Sequence, residues 1–194
     1  MTECAAPPAS AAVKRRIKAD LIALMPSLRA FARSLCPNPA RADDLVQDAL
    51  VKALANLDRF DPDSNLRAWM FTILRNTHYS DLRKRRREVE DAQGEHAERL
   101  ADPPRQNSAL DLQDFHAAFA QLSDDHREVL TLIGAAGMSY EEAAEICGCA
   151  VGTVKSRVNR ARRKLAEALG LDPDAAFGDG DEAVLPQGAL SGAW

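Results

Sequence analysis

The sequence predicts an all-α chain: two small helical domains joined by a flexible linker. Three observations carry that expectation. Aromatic residues are only 5% of the 194 residues, while Ala, Leu and Arg abound, and strands draw on Val, Ile, Thr and aromatics. Apolar residues recur at spacings of three and four in two separate blocks. Between the blocks, residues 88–108 are polar and acidic, contain Gly94, Pro103 and Pro104, and show no sustained apolar period.

In the first block, Ile17, Leu21 and Leu24 form one helical stripe, and Pro26 is expected to start a second helix through Leu28, Phe31 and Leu35. Asn38 followed by Pro39 reads as an N-cap with proline at the first helical position. It opens a helix to about Asn56 whose apolar face is Leu45, Ala49, Leu50 and Leu54. A turn of Asp, Pro and Ser at 61–65 precedes a long helix over 66–87, with Trp69, Met70, Ile73 and Leu74 toward the core. In the second block, Leu112, Phe115 and Phe119 mark a helix. Ser123 caps the next one, with Asp124 and Asp125 suiting the dipole in its first turn, and Gly137 ends it. Ser139 and Glu142 form a capping box for a short helix through Ala143, Ala144 and Ile146 that Gly148 terminates. A final helix carries Val151, Val154, Val158, Ala161, Leu165 and Leu169. The expected divisions are a disordered N-terminus (1–13), a first domain (14–87), the linker (88–108), a second domain (109–170) and an acidic, disordered tail (171–194).

The net charge of -4 conceals a strong segregation of sign, and attraction to phosphate depends on local patches. Residues 67–87 hold Arg67, Arg75, Arg83, Lys84, Arg85, Arg86 and Arg87 against Asp81 alone. Residues 155–164 hold six cations and no acid. Charge follows rather than precedes any apolar run at the N-terminus, so no signal peptide is expected. No apolar stretch approaches the roughly 18 residues of a membrane span, which makes a cytoplasmic protein without membrane contact the default. Four scattered cysteines suit neither a disulfide scaffold nor a zinc site, so free thiols are expected. Dispersed His78, His96, His116 and His126, with no Gly-rich phosphate loop or nucleophile elbow, argue against an enzyme, and no metal or cofactor is expected.

A short capped helix, a glycine turn and a long basic helix make the helix-turn-helix pattern. With Val154 at the centre of the buried stripe, rotation of about 100° per residue puts Ser156, Asn159, Arg160 and Arg163 on the opposite face. Lys155, Arg157 and Arg162 lie on its flanks. Such a mixture reads DNA: Arg pairs bidentately with guanine, Asn with adenine, and flanking cations with phosphates. In the first block, Asn76, Thr77, His78 and Tyr79 precede the arginine run that includes Arg83 and Arg86. There, phosphate contacts stand beside groups able to bond or stack on an unpaired base. Asp43, Asp44 and Asp48 are ordinary helix-dipole acids or part of a protein-binding face.

The run SYEEAAEICGCAVGTVKSRVNRARRKL (139–165) resembles region 4 of extracytoplasmic-function sigma factors. RADDLVQDALVKAL (41–54) resembles their region 2.2, and NLRAWMFTILRNTHYSDLRKRRRE (65–88) their regions 2.3 and 2.4. Within that family the wording is most similar to the EcfG group, the general-stress sigma factors of alphaproteobacteria. The resemblance implies core RNA polymerase and promoter DNA as partners, through the beta-prime clamp and the beta flap. It implies that Asp44, Leu45, Gln47 and Asp48 face the clamp coiled coil. It also implies that Asn76 and the loop from Phe60 to Asn65, Ser64 included, hold a flipped base of the minus-10 element. Lys155, Ser156, Arg157, Asn159 and Arg160 would read the minus-35 element. Members of the group resemble proteins restrained by an anti-sigma factor of the NepR type, which a phosphorylated PhyR-type regulator releases. A linker of 21 residues reaches about 70 Å when extended, enough to join elements roughly two DNA turns apart. Two alternatives stay open: a sigma-like mimic that sequesters an anti-sigma factor without touching DNA, and an ordinary helix-turn-helix repressor. The first predicts eroded DNA-reading residues, and the second leaves the first block without a purpose.

Overall fold

The computed structural model describes the backbone of residues 11–36, 38–92 and 109–172, with the side chains of 12–36, 38–87 and 113–172. The expectations for the extreme N-terminus, for 93–108 and for 173–194 fall outside the described residues. Within them the structure is helical throughout, with no strand. In order come α1 (Ala11–Leu35), α2 (Pro39–Ala55), a 3₁₀ turn (Leu57–Arg59), α3 (Leu66–Ala92), α4 (Ala109–Ala120) and α5 (Asp124–Leu130). A single π turn (Thr131–Ala135), α6 (Tyr140–Cys147) and α7 (Val151–Ala168) complete the series.

Local chemistry sets most boundaries as expected. Asn38 Oδ1 accepts the Arg41 N–H at 3.2 Å and Pro39 opens α2. The Ser139 hydroxyl accepts the Glu142 N–H at 3.1 Å while the Glu142 carboxylate takes the Ser139 N–H at 2.8 Å, the reciprocal capping box. Gly148 closes α6 at φ 65°, in the left-handed region that favours glycine.

Four expectations need correction. Pro26 starts no helix; it lies inside α1, which runs unbroken. Pro26 and Ile22, the residue whose carbonyl loses its donor, are both exposed, so water can satisfy that carbonyl, and Leu28, Phe31 and Leu35 continue the buried stripe of Ile17 and Leu21. Ser123 occupies the N-cap of α5 without a side-chain hydrogen bond. The helix ending at Gly137 is two pieces: α5 widens into the π turn, where the Ala136 N–H reaches back to the Thr131 carbonyl at 2.8 Å. Widening buries Leu130, Thr131, Leu132 and Ala136 together against α1. Finally, α3 continues to Ala92, five residues into the stretch read as linker.

The two blocks pack on each other. One apolar cluster runs from Ile17 of α1 to Leu165 of α7, with α1 against α5 and the π turn and α3 against α6. Polar ties cross the same boundary. Arg75 of α3 pairs through Nε with the carboxylate of Glu128 on α5, whose side chain is 0% exposed, and Tyr79 donates its hydroxyl to the other oxygen at 3.4 Å. Arg127 Nε donates to the Ser34 carbonyl at 3.0 Å, and Asn65 donates its amide to Glu142.

Candidate nucleic-acid interface

Helix α7 buries Val154, Val158, Ala161 and Leu165, and the opposite face presents Asn159, Arg160 and Arg163 to solvent. The flank residues Lys155 and Arg157 are half-buried and engaged, and so is Ser156, which was expected on the outer face and instead turns back to its own helix. Lys155 Nζ lies 5.4 Å from the centroid of the Tyr140 ring, the Ser156 hydroxyl donates to the Thr153 carbonyl at 2.9 Å, and Arg157 pairs with Asp125 at 2.7 Å. Arg162, expected on the flank, is buried. The field of this face is felt on α5: burial first, then Lys164, with smaller contributions from Arg160 and Arg157, holds the His126 imidazole below its ordinary value against the opposing Asp125. A one-signed polar face on a helix preceded by a capped helix and a glycine turn has the makings of a major-groove reader.

The first block carries a groove of about 540 Å³ between α2 and α3, lined by Lys52, Asn56, Arg59, Trp69, Ile73, Asn76, Thr77, Ser80 and Arg83. It combines three cations, several hydrogen-bonding groups and a half-buried indole edge, the mixture that holds an unpaired base and its phosphate. Asn76 and Arg83 are exposed there, and Arg86 is exposed a turn further along α3. Trp69 and Ile73, read as core, are half-buried and also form groove wall. Neighbours on the same helix turn inward. Thr77 and His78 are buried, and burial lowers the His78 pKa from its usual value. Tyr79 faces Glu128, and burial followed by that carboxylate raises its phenol to about 12. Thr77 Oγ1 accepts a bond from Lys52 Nζ at 3.1 Å, which ties α2 to α3 across the groove.

The loop before α3 is built on itself. The Ser64 hydroxyl and N–H both donate to the Asp61 carbonyl, at 2.6 and 2.9 Å, and Asp63 N–H donates to Asp61 Oδ1 at 3.0 Å. Asn65 caps α3 by accepting the Ala68 N–H at 3.1 Å. Phe60 is buried and packs on Trp69, ring centroids 4.7 Å apart, so its ring supports the groove wall from behind. On α2, Asp44, Gln47 and Asp48 are exposed on one face with Val51, whereas Leu45 is buried in the core beneath them. Leu54, read as core, is 46% exposed. Lys52, Asn56 and Arg59 were missed as groove residues; their spacing of four and three along α2 and its following turn is the signal that could have found them. Among the described residues no cluster of three metal-ligating side chains exists.

Family models match the two blocks separately: Sigma-70 region 2 over residues 22–88 and Sigma-70 region 4 over residues 112–165. Fold and site thus define a two-module transcription-initiation factor of the sigma-70 class. The chain is 58% identical over 165 residues to the ECF RNA polymerase sigma factor EcfG of Rhodopseudomonas palustris, covering 85% of this chain and 91% of that one. It is 36% identical to the RNA polymerase sigma factor CnrH of Cupriavidus metallidurans, covering 76% and 83%. Among solved structures, the sigma factor RpoE of Bartonella quintana, in complex with the anti-sigma factor NepR, matches with a TM-score of 0.73. The identity is 55%, over 81% of this chain and 99% of that one. CnrH in complex with the cytosolic domain of CnrY matches with a TM-score of 0.57 and 31% identity, over 81% and 89%. The chain belongs to the extracytoplasmic-function (ECF) RNA polymerase sigma factors.

Proposed function

We propose that this sigma factor directs core RNA polymerase to stress-response promoters through two separate contacts. Helix α7 reads the minus-35 element with Asn159, Arg160 and Arg163, while Lys155, Ser156 and Arg157 stand at its edges. The α2–α3 groove, with Asn76 and Arg83, captures an unpaired base of the minus-10 element, and Ser64 and Asn65 lie on the loop leading into it. Arg86 holds backbone phosphate. The exposed face Asp44, Gln47 and Asp48 docks on the beta-prime clamp over a Leu45 anchor in the core, and the second module reaches the beta flap. The observation that carries the reading is the exposed face of Asn159, Arg160 and Arg163 on α7 in a chain that also holds region 2. A mimic that only sequesters an anti-sigma factor has no use for that face. By likeness to the Bartonella quintana relative, an anti-sigma factor of the NepR type restrains this chain. Its action lies with DNA and polymerase in the cytoplasm, and no helix among the described residues is long and apolar enough to cross a membrane.

Run-off transcription with core polymerase tests this. Wild type is expected to give specific transcripts that a NepR-type protein suppresses. Arg160→Ala is expected to lose about tenfold to a hundredfold in promoter affinity, the value of one bidentate base contact, and Asn76→Ala to slow promoter opening. Polymerase binding without promoter-specific transcripts from wild type would overturn the reading.

A further inference from the structure

Asp124 and Asp125 stand side by side in the first turn of α5, where both suit the helix dipole, yet each has a partner of its own. Asp124 pairs with Arg127 of the same helix, while Asp125 Oδ2 reaches Arg157 on α7 at 2.7 Å. On the other side of α7 the Lys155 ammonium lies 5.4 Å from the centroid of the Tyr140 ring, within cation–π range. Rotation of about 100° per residue sets Lys155 and Arg157 on opposite sides of the buried stripe, so the exposed face of Asn159, Arg160 and Arg163 lies between two held cations. A helix in the major groove has a phosphate backbone along each edge. Contacts to those phosphates fix the register of a reader without themselves carrying sequence information. Asp125 is the telling residue. Its side chain is 51% exposed beside a basic face, and on charge alone it repels DNA. The dipole does not account for it, since Asp124 already places a carboxylate in that turn. What Asp125 adds is a hold on Arg157, whose guanidinium carries several N–H donors in a rigid fork: one bond orients the fork without exhausting it.

We propose that Asp125 and Tyr140 are positioning residues for minus-35 recognition: they hold Arg157 and Lys155, and so fix the register in which Asn159, Arg160 and Arg163 meet the base edges. The inference rests on the two-contact reading above. Long cationic side chains lose rotamer freedom when they bind phosphate, and a side chain held beforehand loses less. Register matters more. Mobile cations follow phosphates wherever α7 lies along the groove, whereas cations held from α5 and α6 meet both backbones well in one placement of the helix only. Asp125 and Tyr140 therefore supply sequence discrimination, and Asp125 does so at some expense of affinity for DNA in general.

Competition binding tests this, with the sigma factor assembled on core polymerase, a duplex carrying EcfG-type promoter elements, and the same duplex with its minus-35 element scrambled. Asp125→Asn removes the charge at nearly constant volume. It should tighten binding to the scrambled duplex, because an acid has left the face, while the ratio of the two affinities falls about threefold to tenfold. Adding Asp125→Asn to Arg157→Ala should lower the ratio no further than Arg157→Ala alone, the non-additivity expected of two residues that act as one unit. Tyr140→Leu should lower the ratio by a similar factor, and Tyr140→Phe, which keeps the ring face, should retain it. A merely structural role would move the urea midpoint and leave the ratio intact. With wild type discriminating between the duplexes, an unchanged ratio in Asp125→Asn or in Tyr140→Leu overturns the role of that residue and leaves the promoter reading standing. A loss in Tyr140→Phe equal to that in Tyr140→Leu would assign the effect to the hydroxyl and overturn the hold on Lys155. A wild type that does not discriminate between the duplexes overturns the promoter reading itself.

Discussion

Cys147 and Cys149 are two residues apart, yet their surroundings give them different chemistry. Cys147 is buried on α6, and burial first, then the Glu128 carboxylate, raises its thiol to about 12. At pH 8 its thiolate fraction is on the order of one in ten thousand, against roughly a quarter for an ordinary thiol. Cys149 lies half-exposed in the turn before α7. Iodoacetamide at pH 8 should therefore modify Cys149 within minutes while native Cys147 reacts only on local opening, and peptide mass spectrometry resolves the two rates. Equal rates would mean that the α6 packing is not maintained in solution. Side-chain direction along α3 tells a related story about what sequence discloses. The run Asn76, Thr77, His78 and Tyr79 offers four polar groups, but successive helical positions rotate by about 100°. Asn76 is exposed in the groove and Thr77 lines it as a buried group; His78 turns inward and Tyr79 meets the second module. Asn159, Arg160 and Arg163 were legible because α7 has one buried stripe and, among the described residues, an exposed face opposite it.

The α6–turn–α7 unit was readable element by element, since each of its signals acts within three or four residues. The Ser139–Glu142 box satisfies two N–H groups at the start of α6, and Ser139→Ala should cost about 1 kcal/mol, seen as a lower urea midpoint at unchanged slope. Gly148→Ala should cost about 1–2 kcal/mol for a different reason. No atom lies within 4 Å of a Cβ built there, so the cost comes from holding φ near 65° and not from a clash. A Gly148→Asn change should recover part of that loss, because Asn visits the left-handed region more readily; equal losses for Ala and Asn would contradict the backbone explanation. Pro26 and the π turn were not legible because their outcome is decided by distant packing. Proline ends a helix unless its orphaned carbonyl faces water, which depends on which side of α1 the core takes. The π turn packs on α1, with Leu130, Thr131, Leu132 and Ala136 buried together in an arrangement that a strict 3.6-residue period does not foretell. Both features follow from tertiary packing, and no local pattern encodes that.

At the scale of the whole molecule, the two-block organisation with an acidic net charge and segregated cations was visible from the sequence, but the closure of the blocks was not. Arg75 and Glu128 are 53 residues apart, and a lone Glu on a short helix reads as a surface residue. That pair also makes the stability of the fold depend on pH. Burial, the largest influence, holds the Glu128 carboxyl above its ordinary value even though Arg75 and the Tyr79 hydroxyl oppose it, while Asp125 adds to the rise. Arg75 stays charged, its pKa lowered by burial but raised further by Glu128. Tyr79 and Cys147, both near 12, stay neutral across the accessible range. The folded chain therefore binds more protons at Glu128 than an unfolded chain with an ordinary carboxyl. Its relative advantage is fully present below the ordinary carboxylate range and is lost as pH rises through the elevated value. The difference between wild type and Glu128→Gln isolates this one group. From pH 8 down to pH 5 the thermal midpoint of wild type should rise relative to the Gln variant. A difference that is flat with pH would place the titration elsewhere, and one of opposite slope would mean that pairing with Arg75 outweighs burial at this carboxylate.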